Sequence, residues 1–382
     1  MTDSDRKLVS HHDPVDRPAR RRPWLPVLFA AIALALIAVA ASWWYLSNQA
    51  AIPEWDRLPA LELAAPAGDG LVGDTPWVNL RLTTARPGEE NVFRVQITPR
   101  TRPSAPDPTA QATARISSLT AQSLASEPDS AETLDLQPDP ETEGAFTASS
   151  PLDPGGWWRL SVAVDGAASP AEFYFLIPDP NVNGPNTVPS NASSPEGEAL
   201  FQRGIEALTT LRDVRFTQWI ADGGGNASVS EHAVTIGDGN SPPGFTYRAA
   251  GSMEAIIIGS TRWIRLPGDP DWEKQEGATV VLPSEWDEEY VGATGFTLLG
   301  EETIDGERCR LLAFVAPELT EPRRTVAWYL WWVGEETGYV RKEAMASRLH
   351  YMLNEFGDFD VPIALAPPGE AATPVASGTP VT

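Results

Sequence analysis

An uncharged stretch at residues 23–53 limits most strongly what this chain can form. Its apolar part, residues 24–46, is 23 residues long, and about 20 suffice for a helix to cross a bilayer core. Four arginines stand before it, and Trp-Trp-Tyr at 43–45 ends it. Basic flanks stay in the cytoplasm, and aromatic residues prefer the headgroup level. The pattern predicts a cytoplasmic tail at 1–23, a single-pass anchor at 24–46 and the remaining chain outside the cell membrane.

The alternative is a cleaved secretory signal peptide. Ala38, Val39 and Ala40 offer small residues after an apolar run, so a signal peptidase could cut after Ala40. Against cleavage, the preceding tail has 22 residues and apolarity continues to residue 46. An uncleaved anchor is the favoured interpretation, and both alternatives export the bulk of the protein.

Charge and cysteine content exclude several classes of function. The chain has a formal charge of −24, to which the first 22 residues contribute +2. An exported part this acidic repels nucleic acid, so we expect no nucleic-acid partner. Cys309 is the only cysteine, which excludes an intrachain disulfide and a multi-cysteine metal site. We expect no cofactor and no bound metal.

Residues 61–180 show the alternation of half-buried strands. Residues 77–82 and 91–97 alternate apolar and polar side chains, and a Pro-Gly-Gly turn precedes another strand at 157–164. About seven short strands without a helical pattern predict an all-β immunoglobulin-like sandwich. The expected core residues are Trp77, Phe93, Val95, Phe146, Trp158 and Phe173.

The same region resembles the small exported domains grouped around CopC, FixH and YtkA. The likeness lies in a Pro-Gly turn, Pro87-Gly88, leading to Phe93 and Val95, and in Pro-Gly-Gly-Trp-Trp-Arg-Leu followed by Phe-Tyr-Phe-Leu-Ile-Pro. Copper binding in that group needs His and Met ligands, and residues 61–180 contain neither. A copper- or metal-handling protein is therefore the least favoured hypothesis.

A Pro-, Asn- and Ser-rich linker at 181–195 separates this region from a second one at 196–365. Apolar residues recur at helical spacing over 196–212, and about ten strands follow. This order predicts an α+β half-barrel, an antiparallel sheet that wraps a helix. The segment 366–382 lacks large apolar residues except valine, and we expect it to be disordered.

The second region resembles the lipoprotein-carrier superfamily, LolA-like and LppX/LprG-like, over residues 196–362. The matching features are the helix-to-strand junction ending in Val-Arg-Phe, the Ile-Ile-Ile-Gly-Ser-Thr-Arg-Trp run and the closing Trp-Tyr-Leu-Trp-Trp-Val strand. Members of that superfamily enclose a hydrophobic cavity that holds acyl chains or interacts with lipidated partners. The resemblance therefore implies a lipid or a lipidated protein as partner.

Motifs of common enzymes are missing from the sequence. It contains no Gly-x-Ser-x-Gly, no His-Glu-x-x-His and no Walker A pattern. After the anchor only His232 and His350 are available for acid–base chemistry. We therefore expect a protein that is not an enzyme.

Aromatic residues concentrate in the second region, and both alternate sets of residues 325–333 are apolar. Such a strand is either a central strand covered on both faces or lines an apolar ligand cavity on one face. The favoured hypothesis is a membrane-anchored binding protein for a lipid or another hydrophobic ligand. The alternative is an envelope sensor or protein-interaction module without lipid. The predicted ligand-binding residues are Leu208, Leu211, Trp263, Trp328, Leu330 and Trp332.

Overall fold

A computed structural model describes the chain over the following residues: 61–68, 75–83, 90–99, 106–119, 131–152, 156–177, 193–221, 227–238, 241–249, 252–318, 326–347 and 350–369. They all belong to one compact unit, Glu54–Thr382. The predicted anchor at 24–46 and its alternative cleavage site lie outside the described residues, as do the cytoplasmic tail and most of the linker and C-terminal tail. Among the described helices, none combines the length and apolarity needed to span a membrane.

The first nine strands form two antiparallel sheets, here called the sandwich. Alternating side chains of both sheets meet in one buried core, as the sequence pattern predicts. The strands are β1 (Leu61–Pro66), β2 (Trp77–Thr83), β3 (Glu90–Thr98), β4 (Ala112–Ser118), β5 (Glu132–Leu134), β6 (Gln137–Pro138), β7 (Ala145–Pro151), β8 (Gly156–Val164) and β9 (Ala171–Ile177). Within the described ranges their orders are β1-β2-β3-β7-β6 and β5-β4-β8-β9.

One expected core residue lies elsewhere. Phe93, Val95, Phe146, Trp158 and Phe173 belong to the sandwich core, whereas Trp77 packs outside it with Val229 of a later strand. Alternation along β2 puts Trp77 on the opposite face from the core residues Val78 and Leu80. The prediction was wrong for Trp77, because sequence could not show that this outer face of β2 is covered too.

The second half of the unit is one helix followed by one large sheet. The helix α1 (Pro195–Thr210) precedes the strands, and a 3-10 helix covers Pro283–Tyr290. The strands are β10 (Asp213–Ala221), β11 (Ala227–Thr235), β12 (Gly244–Ala249), β13 (Glu254–Ile258), β14 (Thr261–Arg265), β15 (Glu273–Glu276), β16 (Thr294–Ile304), β17 (Glu307–Ala316), β18 (Ala327–Gly334), β19 (Val340–Ser347) and β20 (His350–Gly357). Every pair is antiparallel, in the order β15-β14-β13-β12-β11-β10-β20-β19-β18-β17-β16.

Local sequence explains where α1 begins and how closely it packs. The Ser194 hydroxyl accepts a hydrogen bond from the Gly197 amide at 2.9 Å, and proline occupies the first helical position. Leu200, Phe201 and Leu208 of α1 are buried against the sheet. A Cβ atom on Gly204 would lie 2.9 Å from the Trp331 ring, so glycine is needed for this approach.

The strand β18 is covered on both faces. This agrees with the interpretation of residues 325–333 as a central strand. Tyr329, Trp331 and Val333 pack in a buried cluster with α1, and this side of the large sheet is here called the helix face. Leu330 and Trp332 belong to the cluster that contains the sandwich core, and this side is called the sandwich face. The large sheet is thus the middle layer between α1 and the sandwich.

Aromatic contacts join the sandwich to the sandwich face. The rings of Tyr174 on β9 and Trp332 meet edge to face at 4.9 Å. The Tyr174 amide donates a hydrogen bond to the Tyr351 hydroxyl at 3.2 Å. Cys309 is buried in the same cluster, and burial raises the pKa of its thiol to about 11. The lone cysteine is therefore a core residue held as a neutral thiol.

Charged groups add specific pairings to this interface. The Arg159 guanidinium on β8 lies 3.2 Å from a Glu302 carboxylate oxygen, and the other oxygen accepts from the Trp332 indole at 2.6 Å. The Lys342 ammonium lies over the Trp332 ring at 5.4 Å and 3.1 Å from the Glu355 carboxylate. The Arg159–Glu302 pair thus joins the sandwich to the large sheet, and the contacts of Lys342 and Trp332 order charged groups on the sandwich face.

Candidate ligand cavity

A cavity of about 330 Å³ lies on the helix face of the large sheet. Its walls come from α1, from residues 279–281, from the 3-10 helix and from strands on the β10–β13 and β19–β20 side. Most lining residues are apolar or aromatic: Leu208, Phe216, Val234, Phe245, Ile257, Val280, Val281, Trp286, Tyr290, Val340, Met352 and Phe356. The remaining lining residues are Gln218, His232, Thr279, Glu289, Glu343 and Asn354.

The sheet must curve around this cavity. Ile257 on β13 and Val340 on β19 both line it, although five strand spacings separate their strands in the sheet order. At about 4.8 Å per spacing, these strands would lie about 24 Å apart in a flat sheet. A cavity of about 330 Å³ that touches both strands requires a concave helix face.

A row of polar side chains crosses the cavity wall. Glu343, Asn354 and Gln218 are register partners on the adjacent strands β19, β20 and β10. The Asn354 amide nitrogen donates to Glu343 Oε1 at 2.9 Å, and the Gln218 amide nitrogen donates to Asn354 Oδ1 at 3.0 Å. Glu343 Oε2 accepts from the Tyr290 hydroxyl and from the Trp331 indole, both at 2.6 Å. This polar row is continuous across three strands.

Burial dominates the ionisation of Glu343. Desolvation raises the pKa of its carboxyl group to about 7, although the hydrogen bonds from Tyr290 and Trp331 lower it. The carboxyl group is therefore close to half protonated at neutral pH. Burial likewise raises the pKa of the Tyr290 hydroxyl well above its ordinary value. The polar row thus carries at most a weak negative charge near neutrality.

An aromatic row lies beside the polar row. Phe356, Phe216 and His232 are register partners on β20, β10 and β11, and the rings of Phe216 and His232 stack at 4.4 Å. His232 Nε2 lies 2.8 Å from the Ser230 hydroxyl. Its Nδ1 is buried and has no hydrogen-bond partner within the described residues. Burial lowers the pKa of His232 to about 4, so the ring is neutral at physiological pH.

The Ser230–His232 pair lacks the features of a catalytic pair. A nucleophilic serine must reach the substrate, and a third group must orient the histidine. Ser230 is not among the residues that line the cavity. His232 Nδ1, where an orienting carboxylate would bind, is without a partner in the described part of the chain. Ser230 and His232 are two buried polar side chains in contact with each other, and the His232 ring stacks on Phe216.

The cavity opens to solvent beside Val281. This side chain lines the cavity and is 62% exposed, whereas the adjacent Val280 is buried. Trp286, on the 3-10 helix that follows, lies edge to face with Phe216 at 6.0 Å and forms part of the roof. Residues 279–281 and the 3-10 helix therefore form the mouth.

Of the six predicted ligand-binding residues, Leu208 alone lines this cavity. Leu211 is buried at the end of α1 in the neighbouring cluster, and Trp263 is half-buried on β14. Trp328, Leu330 and Trp332 pack in the cluster of the sandwich face. The cavity therefore lies on the helix face of the large sheet, whereas Trp328, Leu330 and Trp332 lie on the sandwich face.

The polar row was missed, although the sequence carries a signal for it. Gln218 stands between Phe216 and Ile220 in one alternate set of β10, and Asn354 stands between Met352 and Phe356 in β20. A polar residue inside the apolar set of a strand is an anomaly that marks a buried polar site. Each position alone looks ordinary, and the pairing of β10 with β20 is what brings them together.

A more open groove of about 660 Å³ involves the same strands. Its lining includes a cross-strand row of polar and charged residues, namely Glu355, Thr217, Glu231, Arg248 and Glu254. Opposite charges are paired there, for example Arg248 with Glu231 at 3.5 Å. Exposed pairs of this kind are ordinary surface electrostatics.

No protein-family model matches the chain, and no curated protein matches it. Solved structures do. Lipoprotein LppX of Mycobacterium tuberculosis is 13% identical, with 45% of this chain and 98% of LppX covered and a TM-score of 0.35. LprF of Mycobacterium bovis is 13% identical, with coverages of 46% and 99% and a TM-score of 0.37. A LolA superfamily protein of Nitrosomonas europaea is 10% identical, with coverages of 43% and 92% and a TM-score of 0.20.

The structure is mostly β-sheet with few helices, and its similarity to LolA-like proteins is present at low identity. The resemblance of residues 61–180 to the CopC group stays a prediction.

Proposed function

We propose that this chain is a non-enzymatic binding protein that holds one small hydrophobic molecule in the helix-face cavity. The observation that carries the proposal is the cavity itself. A volume of about 330 Å³ is at the lower end of the range for small-molecule sites, about 300–1,000 Å³. Its lining is mainly aliphatic and aromatic with a few polar groups, which is the composition typical of such sites.

The interior favours an apolar occupant for a simple reason. Apolar surface is presented to the cavity by four aromatic side chains, those of Phe216, Phe245, Phe356 and Trp286. A ligand that covers this surface gains about 25 cal/mol for each Å² of apolar area removed from water. The volume suits one compact molecule or one short acyl chain, and a large multi-chain lipid exceeds it.

We also propose that residues 24–46 attach this binding site to the cell membrane. The support is the uncharged length of that segment and its basic and aromatic flanks. A tethered site of this kind would receive or present its ligand near one membrane, whereas cleavage after Ala40 would release it as a mobile carrier.

The proposal is tested with the full-length protein in lipid nanodiscs, with empty nanodiscs as the background. The probe is N-phenyl-1-naphthylamine, an uncharged dye that fluoresces in apolar sites. Its fluorescence is excited directly. We expect saturable binding to the wild type. Val281→Trp, which fills the mouth, should weaken binding at least about tenfold, a loss of about 1.4 kcal/mol.

The matched control is Val291→Trp. Val291 is 55% exposed, close to the 62% of Val281, but it does not line the cavity. Equal dye binding by the two variants would contradict the proposal. So would binding to the wild type that does not exceed the binding to empty nanodiscs. Native mass spectrometry before and after organic extraction then gives the mass of any molecule that co-purifies.

A further inference from the structure

We propose that the natural ligand is an uncharged amphiphile, with an apolar body and one hydroxyl, carbonyl or amide group that binds to the polar row Glu343–Asn354–Gln218. This inference rests on the proposed function and names the chemical class of its ligand. It predicts discrimination against fatty-acid carboxylates and other anionic lipids, and it predicts that this discrimination depends in part on Glu343.

The charges around the cavity exclude an anionic end group. No lysine or arginine is among the described residues that line it, and the acidic lining residues are Glu289 and Glu343. An anion buried beside a carboxylate has no counterion and loses its hydration, which costs several kcal/mol. Protonation of Glu343, whose pKa burial raises to about 7, relieves the repulsion only in part.

The polar row also offers a cationic end group few free hydrogen-bond acceptors. The Glu343 carboxylate already accepts three hydrogen bonds, from Tyr290, Trp331 and Asn354. An amine that paired with it would have to displace at least one of these donors.

Polar atoms without partners point to a neutral hydrogen-bonding group. The Gln218 amide nitrogen is used by Asn354 and by the Met352 sulfur, whereas its amide oxygen makes no hydrogen bond to any described residue. His232 is 8% exposed, lines the cavity and keeps a buried Nδ1 without a partner in the described chain. A buried unsatisfied atom such as His232 Nδ1 costs about 1–3 kcal/mol, and a ligand hydroxyl or amide beside it recovers part of that cost.

The experiment displaces N-phenyl-1-naphthylamine with three ten-carbon compounds at about pH 8, where carboxylic acids are ionised. These are decan-1-ol, decanoate and decylamine, each corrected for its partitioning into empty nanodiscs. We expect decan-1-ol to displace the probe at a concentration at least about tenfold lower than decanoate, which corresponds to about 1.4 kcal/mol. Decylamine should also bind more weakly than the alcohol.

Two matched variants assign the selectivity to the polar row. Glu343→Gln removes the buried one of the two acidic side chains that line the cavity and keeps a hydrogen-bonding side chain. Decanoate should therefore bind more tightly, and the difference in affinity between decan-1-ol and decanoate should narrow to a few-fold. Glu231→Gln removes a carboxylate from β11 that does not line the cavity. This variant should keep the full difference in affinity between decan-1-ol and decanoate.

The possible outcomes separate this inference from the proposed function. Saturable dye binding that Val281→Trp weakens, together with equal or tighter binding of decanoate, would overturn the inference and leave the proposed function standing. Tightest binding of decylamine would also overturn it, as would an equal narrowing of the difference between decan-1-ol and decanoate in both glutamate variants. Absence of saturable dye binding would overturn the proposed function itself, and the inference with it.

Discussion

Lys342 and Glu343 are consecutive residues of β19, and their side chains enter opposite faces of the large sheet. The Lys342 ammonium lies 3.3 Å from the Tyr174 hydroxyl of the sandwich, whereas the Glu343 carboxylate accepts hydrogen bonds beside the cavity. Strand geometry requires this alternation. One strand therefore carries a buried cation of the sandwich interface and the buried acid of the candidate ligand site.

Lys342→Met is expected to destabilise the protein by about 1–3 kcal/mol, because it removes charge-assisted hydrogen bonds in a buried interface. Burial lowers the pKa of Lys342, but Tyr174 and Glu355 outweigh burial, so the pKa lies above its ordinary value and the ammonium stays charged. Chemical denaturation measures the loss. Lys274→Met is the control, because Lys274 is an exposed partner of Glu276, and it should change stability by less than about 0.5 kcal/mol. Equal effects would contradict the interface role.

Glu343 and His232 should give stability opposite dependences on pH. The pKa of Glu343 is raised from 4.5 to about 7, so its contribution is fully present below about pH 4.5 and is lost as pH rises through 7. The pKa of His232 is lowered from 6.5 to about 4, so its contribution is present above about pH 6.5 and is lost as pH falls through 4. Between these limits the two effects oppose each other.

Single substitutions separate them. The stability of the wild type relative to Glu343→Gln should fall as pH rises from about 4.5 to 7, and its stability relative to His232→Gln should fall as pH drops from about 6.5 to 4. Each change should be about 3 kcal/mol, since one pKa unit is worth about 1.4 kcal/mol. Unfolding curves in denaturant over this pH range measure both differences. Slopes of the same sign for the two residues would refute the assignment.

Gly204→Ala should destabilise the protein, although alanine is the better helix former by up to about 1 kcal/mol. The new methyl group would meet the Trp331 ring at 2.9 Å, and overpacking of this kind costs about 1–3 kcal/mol. Gln202→Ala on the exposed side of α1 is the control for helix propensity and should be neutral or slightly stabilising. A rise in the unfolding midpoint of Gly204→Ala would show that the helix is not held against Trp331.

The two faces of the large sheet can be told apart with the dye. Phe356→Leu alters the wall of the cavity and should weaken binding of N-phenyl-1-naphthylamine severalfold. Trp332→Leu alters the sandwich face, so it should reduce stability much more than dye affinity. Fluorescence titration and denaturant unfolding of both variants provide the two readouts. A larger loss of affinity in Trp332→Leu would support the sequence prediction for that residue instead.

Periodicity was sufficient to predict the helix and most strands. Helical spacing located α1 to within two residues, and period-two alternation located strands such as β3 and β8. Alternation could not assign the faces of β18, because both of its residue sets are apolar. That choice depends on which neighbour covers each face, and the sandwich residues concerned lie more than 150 positions earlier, such as Tyr174 against Trp332.

The set of residues that lines the cavity could not be predicted for a related reason. Glu343 and Asn354 are joined by a short hairpin, so their proximity could be guessed, but Gln218 is 136 residues from Asn354. Residues 279–281 and the 3-10 helix close the mouth through contacts that no local pattern encodes. Of the predicted ligand-binding residues, Leu208 lines this cavity and Trp332 lies on the sandwich face. The ligand-binding role of the predicted residues stays a prediction.

The burial of Trp332, Leu330 and Tyr351 beneath the sandwich sets a limit on how this chain can be divided. A fragment that begins at the linker would leave these side chains in contact with water, and a continuous apolar patch of that kind promotes aggregation. Excision of α1 and the large sheet for expression, or their transplantation onto another protein, would therefore require new polar residues at those positions.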